Sequence, residues 1–224
     1  MCGRFALDYP ESILKNWYTV DSFPDLFPRY NIAPLSDILV IRETESKREA
    51  TMMRWGLVPK WIKDLKEAHV INNARAETIS TKPMFKSVYR KRRCIIPASG
   101  FYEWQLLKDG KYKQPNFITA VDECPTSFDG IWEIATVDEK TIESCAIITT
   151  GCNDLMRPIH DRMPVILPPE SFDTWLKPVE FPDDIMSFFL KPYKSELMQA
   201  WPVSTAVNKA SNQGKQLIDP IPAA

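Results

Sequence analysis

The sequence has 224 residues, a formal net charge of −1, 44% hydrophobic residues and 25% charged residues. These values are typical of a soluble globular protein, and we expect one domain over residues 1–224. No apolar run approaches the roughly 20 residues that a membrane span needs. The nearly balanced charge gives no bulk attraction to nucleic acid, so any such binding requires a local basic face.

The predicted elements are short, because 19 prolines against 7 glycines favour brief strands and rigid loops over long helices. Helical spacing or a proline-led start predicts helices over residues 11–18, 77–93, 168–176 and 183–190. Strands are predicted over residues 37–41, 50–57, 94–104, 116–120, 130–135, 144–150, 163–167 and 200–204. The Asp109-Gly110 pair indicates a hairpin turn. The pattern therefore predicts an α+β fold built on antiparallel strands.

The thiols and imidazoles are few and scattered. The five cysteines form no CxxC pair and are Cys2, Cys94, Cys124, Cys145 and Cys152. The two histidines are His69 and His160. This pattern argues against a zinc site and against a disulfide framework, and we expect no metal and no cofactor. The first ten residues lack a secretory signal, so we expect reduced thiols and a cytoplasmic protein.

Four stretches contain more functional side chains than packing requires. They are MCGRF at 1–5, INNARAET at 71–78, SGFYEW at 99–104 and IHDRMPVIL at 159–167. Each has an ordinary structural interpretation when taken alone. Glu103 can point to a solvated sheet face, His160–Arg162 can form a turn, and NNARAET can be a capped helix start.

Seven blocks taken together resemble the SRAP-domain proteins. In chain order they are MCGRF, RYNIAP, RWGLVPKW, NARAET, SGFYEW, IHDRMPVIL and the late PVS…VN. That family, first called SOS-response-associated peptidases, is understood to sense abasic sites in single-stranded DNA. The resemblance covers nearly the whole chain. It implies one SRAP-like domain in which antiparallel sheets form a barrel-like core with short flanking helices.

The resemblance implies that Cys2, exposed at the amino terminus once Met1 is removed, is the reactive residue. A free α-amine has a pKa of about 7.7–8.0, so part of it is neutral and nucleophilic near pH 7. Its attack on the aldehyde of an abasic site gives a Schiff base, and closure by the neighbouring thiol gives a thiazolidine crosslink. The family match places Glu103 and His160 at the proton transfers, with Asn73 beside the cysteine. A lyase-like activity is expected from the same intermediate.

The same resemblance implies a DNA-binding surface. Arg4, Arg75 and Arg162 match positions expected to hold phosphates, with the basic run 91–93 nearby. Candidate apolar wedges that stack on bases are Trp55, Trp61, Met84 and Phe85. Ser204 and Asn208 match the late block and are expected to support the site. The expected partner is single-stranded DNA with abasic sites, bound by a monomer that is associated with the nucleoid when on DNA.

Two other functions fit the same residues. A cysteine peptidase would use Cys2 as nucleophile, His160 as base, and Glu103 or Asn73 to orient the histidine. Such an enzyme needs only the thiolate, whereas thiazolidine chemistry also needs a free α-amine. A non-covalent single-stranded DNA binder is the other alternative, and its binding would not depend on Cys2.

Overall fold

Strands dominate the fold in the computed structural model, which describes residues 2–44, 47–67, 69–108 and 110–222. The strands of these ranges are β1 Phe5–Leu7, β2 Arg29–Ile32, β3 Asp37–Glu43, β4 Arg48–Trp55, β5 Asn73–Arg75, β6 Arg93–Ala98, β7 Gly100–Leu106, β8 Lys113–Ala120, β9 Thr126–Val137, β10 Lys140–Gly151, β11 Arg162–Pro164 and β12 Met198–Pro202. The α-helices are α1 Glu11–Tyr18, α2 Pro83–Lys91, α3 Phe172–Leu176 and α4 Asp183–Phe189. Among the described helices, none is long and apolar enough to cross a membrane.

Five strands close into a barrel. They follow the order β10-β4-β3-β6-β9, and β9 pairs back with β10 along eight residue pairs. The pairings are antiparallel except between β4 and β10, which run parallel through Ser144↔Arg54 and Cys145↔Trp55. Strands β5 and β11 lie on opposite edges of the far end of β10. The α+β fold with a barrel-like core is confirmed, and the two parallel pairings of β10 depart from the purely antiparallel expectation.

A second, five-stranded antiparallel sheet has the order β12-β8-β7-β1-β2. The chain enters it from the barrel at Ser99, so the single bent strand predicted over residues 94–104 is two strands in different sheets. The backbone of Ser99 is tied on both sides, to the Ala6 carbonyl at 2.7 Å and to the Thr119 hydroxyl at 2.6 Å. Strands β7 and β8 form the predicted hairpin. Asp109 of its turn lies outside the described residues.

Aromatic side chains fill the space between the two sheets. Phe5 of the second sheet packs edge-on against Trp55 and Phe128 of the barrel, with ring centroids 5.2 and 5.9 Å apart. Phe101 meets the same Phe128 ring at 5.9 Å. Each such edge-on pair adds about 0.5–1.5 kcal/mol beyond its burial. The prediction that Trp55 stacks on DNA bases is wrong, because its side chain is fully buried in this core.

The helix predicted over residues 77–93 is shorter and begins later. Pro83 opens α2, which fits the preference of proline for the first helical turn, while Ala76–Thr78 forms a separate 3₁₀ turn. Beyond its end, Arg93 turns inward and is buried. The guanidinium donates to backbone carbonyls of Trp175, Tyr89, Arg90, Lys177 and Val179. Arg93 is therefore an internal clamp, and its predicted place in a DNA-facing basic run is wrong.

Candidate functional site

Cys2 lies beside Glu103 because the pairing of β1 with β7 continues before the first residue of β1, toward the amino terminus. The backbone N–H of Tyr102 donates to the Arg4 carbonyl at 2.9 Å, which extends the antiparallel pairing toward the start of the chain. Cys2 is buried, and its thiol is close enough to Glu103 to sense the charge of that carboxyl. Met1 lies outside the described residues.

Asn73 holds the backbone of Cys2. Its side-chain amide donates a hydrogen bond to the Cys2 carbonyl at 2.8 Å. The neighbouring Asn72 acts through its backbone, since its carbonyl accepts from the Trp55 indole at 2.9 Å and from the Ile147 N–H at 3.0 Å. Of the two adjacent asparagines, Asn73 is therefore the one whose side chain reaches the cysteine.

His160 faces Glu103 across a short gap. Its Nε2 atom is 3.9 Å from Oε2 of Glu103, which is longer than a hydrogen bond. On the other side of the ring, Nδ1 accepts the backbone N–H of Arg162 at 3.0 Å and lies 2.9 Å from Oδ1 of Asp161. Because Nδ1 accepts the bond from Arg162, the neutral ring carries its proton on Nε2, toward Glu103. Asp161 is the acceptor for an Nδ1 proton when the ring is charged.

Burial governs the electrostatics of this site. It raises the pKa of the Glu103 carboxyl, an effect that nearby His160 partly opposes. Burial also raises the pKa of the Cys2 thiol far above its ordinary range, and the charge of Glu103 raises it further. The thiol is therefore protonated at neutral pH, and the acid form of Glu103 is more populated than that of a solvated carboxyl.

The three predicted phosphate-binding arginines differ in their surroundings. Arg4 is held by Asn31 Oδ1 at 2.7 Å and the Val207 carbonyl at 2.8 Å. Arg75 is exposed at the end of β5. Arg162 is bound by the carboxylate of Glu77. Asn31 lies inside the block RYNIAP, which could have indicated it, whereas no local pattern indicated Glu77 as a partner of Arg162.

A surface groove runs past Asn73 toward the start of α2. Its lining residues are Val70, Ile71, Asn72, Asn73, Arg75, Lys82, Pro83, Met84 and Phe85. Phe85 is only 5% exposed, so the prediction that it stacks on bases as a wedge is wrong: it packs in the core beneath the groove. Met84 is half-buried at the groove wall. Trp61, in the loop after β4, is 57% exposed.

Residues of the late block PVS…VN form part of the surface next to Arg4. Ser204 Oγ accepts the Ala206 N–H at 3.2 Å and so begins the 3₁₀ turn Thr205–Asn208. Asn208 Oδ1 accepts the Trp104 indole N–H at 2.7 Å. The Arg4 guanidinium lies 5.9 Å from the centre of the Trp104 ring. Ser204 and Asn208 therefore both stabilise the surface around Trp104.

Within the described ranges, no group of three or more histidine, cysteine, aspartate and glutamate side chains is arranged to hold a metal ion. The fold and site define a β-barrel protein in which two sheets contribute to one cysteine-centred polar site. Residues 1–210 match the model of the family described as SOS response associated peptidase (SRAP), and the chain belongs to that family.

Relatives align over most of their length. The chain is 40% identical to "Abasic site processing protein YoqW" of Bacillus subtilis, covering 98% of this chain and 99% of the relative. It is 31% identical to "Abasic site processing protein YedK" of Escherichia coli, over 99% and 100%. A crystal structure of a Bacteroides thetaiotaomicron protein superposes with a TM-score of 0.87 at 26% identity, covering 98% of this chain and 100% of that one.

Proposed function

We propose that this protein captures abasic sites in single-stranded DNA as a covalent thiazolidine adduct of Cys2, after removal of Met1. The convergence of Cys2, Asn73, Glu103 and His160 on one site is the observation that carries the proposal. The relatives named as abasic site processing proteins support the substrate class.

The reaction begins with the α-amine. Its lone pair attacks the aldehyde carbon C1′ of the ring-opened sugar, giving a carbinolamine. Loss of the hydroxyl as water, with a proton from an acid, leaves an imine. The thiol then adds across the C=N bond: sulfur bonds to C1′, and the thiol proton is transferred to nitrogen. The only molecule released is water, so the sequence needs no oxidant or reductant.

The protonated thiol favours this order of steps over peptidase chemistry. A cysteine peptidase needs a thiolate, and burial beside Glu103 disfavours the thiolate of Cys2. Each ring nitrogen of His160 already has other neighbours. Nε2 lies near Glu103, and Nδ1 lies near Asp161 and accepts the Arg162 N–H. In the proposed reaction the amine attacks first, and sulfur acts only on the adjacent imine, where proximity compensates for its low nucleophilicity.

Glu103 is the proposed acid for loss of the hydroxyl. Burial raises its pKa, so its acid form is more populated than that of a solvated carboxyl, which suits proton donation to a leaving hydroxyl. His160, with Nε2 3.9 Å from Glu103, is placed to return a proton to it or to protonate the sugar oxygen during ring opening. Asn73 fixes the backbone that carries both the amine and the thiol.

The DNA strand is proposed to lie along the groove between Asn73 and α2. Exposed Arg75 and Lys82 on its walls offer charge to phosphates, and Met84 offers an apolar surface. Binding of this kind is salt-sensitive and depends only weakly on sequence.

The test is incubation of untagged protein with a single-stranded oligonucleotide that contains one abasic site, followed by a denaturing gel. We expect a shifted band that is absent with Cys2→Ala and with protein whose amino terminus is extended by a tag. A matched oligonucleotide whose aldehyde has been reduced to the alcohol should also give no band. Absence of a Cys2-dependent adduct with the aldehyde strand would overturn the proposal.

Blocking the α-amine distinguishes the proposed crosslinking reaction from the activity of a cysteine peptidase. Selective acylation of the α-amine should abolish adduct formation, whereas a thiolate enzyme would keep its peptide cleavage. Cys2→Ser retains the amine and loses the thiol, so it should form a reversible Schiff base, seen as strand cleavage with little stable adduct. Binding that is unaffected by every change at Cys2, with no adduct in any sample, would identify a non-covalent binder.

A further inference from the structure

Arg162 is already engaged by an anion of its own chain. Its Nη1 donates to Oε1 of Glu77 at 2.5 Å and its Nη2 donates to Oε2 at 3.1 Å, a two-pronged carboxylate pair. Nη2 also donates to the Thr149 carbonyl at 2.6 Å and contacts its hydroxyl at 3.2 Å. Thr149 lies on β10, between the strands that carry Arg75 and Arg162.

The two partners of this pair differ in exposure. The side chain of Glu77 is 51% exposed and that of Arg162 is 14% exposed, so the carboxylate covers the guanidinium from the solvent side. The hydrogen bond from Arg162 lowers the pKa of Glu77, which keeps the carboxylate ionised at neutral pH. A carboxylate and a phosphate both offer two anionic oxygens to a guanidinium fork, so they compete for the same donors.

We propose that Glu77 is a specificity-determining residue that competes with a DNA phosphate for Arg162. This inference rests on the proposed function. An incoming phosphate displaces the carboxylate, while Thr149 keeps its contacts and holds the guanidinium in place. The exchange weakens binding to every strand. An undamaged strand is held by non-covalent contacts alone, whereas a strand with an abasic site becomes bound covalently. Glu77 thus lowers occupancy on intact DNA without limiting the final adduct.

The fold offers a matched control. Glu180 is 48% exposed and pairs with Arg90 at 3.4 Å and Lys91 at 3.3 Å, so Glu180→Gln removes the same charge from an ion-paired carboxylate of similar exposure to Glu77. Glu77→Gln and Glu180→Gln change the net charge equally. A difference in DNA binding between the two variants therefore depends on the position of the lost charge and not on the change in net charge.

The experiment measures fluorescence anisotropy of an undamaged single-stranded oligonucleotide over a range of salt concentrations. We expect Glu77→Gln to bind about fivefold more tightly than the wild type, with a slope of log K against log salt steeper by about 0.7, the change for one single-strand phosphate. Glu180→Gln should bind like the wild type. The gain in DNA affinity should vanish when Arg162→Gln is combined with Glu77→Gln. Glu77→Ala, which leaves no side-chain acceptor for Arg162, should show the gain even where the glutamine of Glu77→Gln still bonds to Arg162.

A second readout is competition. Undamaged strand added in excess should inhibit adduct formation by Glu77→Gln at about fivefold lower concentration than it inhibits the wild type. Equal or weaker DNA binding by both Glu77 variants would overturn the competition and leave Glu77 as a support for Arg162. A wild-type protein that forms no adduct would overturn the proposed function instead, and the two failures are told apart in the same samples.

Discussion

Asn73 and Cys2 are joined by a hydrogen bond of 2.8 Å from the side-chain amide to the backbone carbonyl, across 71 residues of sequence. A neutral hydrogen bond of this kind contributes about 0.5–1.5 kcal/mol, so its loss corresponds to up to about tenfold in rate if it positions the amine. We expect Asn73→Asp, which removes the donor, to slow adduct formation by about tenfold. The rate is read from single-turnover denaturing gels. Asn72→Asp is the control, because Asn72 contributes its backbone to the neighbouring bonds, and a similar loss in both variants would contradict the assignment.

The pH dependence of adduct formation should depend on Glu103. The neutral amine increases as pH rises toward about 8, while the acid form of Glu103 decreases as pH rises through its raised pKa. The wild-type rate should therefore pass through a maximum. Glu103→Gln should react about 10²–10⁴-fold more slowly and keep only the rising limb.

Glu133→Gln is the control for that profile, since Glu133 is also a buried carboxyl but pairs with Arg92 and Lys60. It should keep the maximum. A Glu103→Gln profile that still falls at high pH would show that another group supplies the proton.

Asp129 should make the protein less stable as pH rises. It is fully buried on β9, and burial raises its pKa well above the usual value, with Arg93 opposing the effect in part. Above about pH 4 the unfolded chain releases a proton that the folded chain keeps, so the free energy of unfolding falls by about 1.4 kcal/mol per pH unit up to the raised pKa. Asp129→Asn should remove this slope, measured by urea unfolding at several pH values. Exposed Asp219→Asn should leave it unchanged.

Arg93 should matter for stability and not for DNA. Its guanidinium donates to five backbone carbonyls around the ends of α2 and α3, and burial lowers its pKa to about 10, so it stays charged at neutral pH. Arg93→Met should lower the free energy of unfolding by about 2–4 kcal/mol. Arg90→Met, one turn earlier with a surface ion pair to Glu180, should cost under about 1 kcal/mol. Equal losses would refute the clamp.

Local patterns predicted local structure well. The helix predicted over residues 11–18 has the observed bounds, because its apolar spacing and its start lie within those residues. The strand over residues 94–104 could not be divided from sequence, since the change of sheet at Ser99 is set by partners on β1, β8 and β9. Pro83, by contrast, was a visible signal for the later start of α2.

The site was predictable as residue types and not as ion pairs. The family blocks named Cys2 and three other residues, Asn73, Glu103 and His160, that the fold brings into one place. They did not reveal that Arg162 would meet Glu77, 85 residues away, or that Arg93 would turn inward. The sequence identifies an arginine as a positive charge. The carboxylates and carbonyls that bind it in the fold determine whether that charge is available to a ligand.

The order in which the chain is made gives the layout of the site a further meaning. Cys2 is synthesised first, yet its neighbours come from β5, from β7 and from the segment before β11. Under the proposed chemistry, a nascent chain carries the aminothiol long before it carries the acid and the imidazole. The residues proposed to assist the reaction therefore surround the amino terminus only after β5, β7 and the segment before β11 have folded against it.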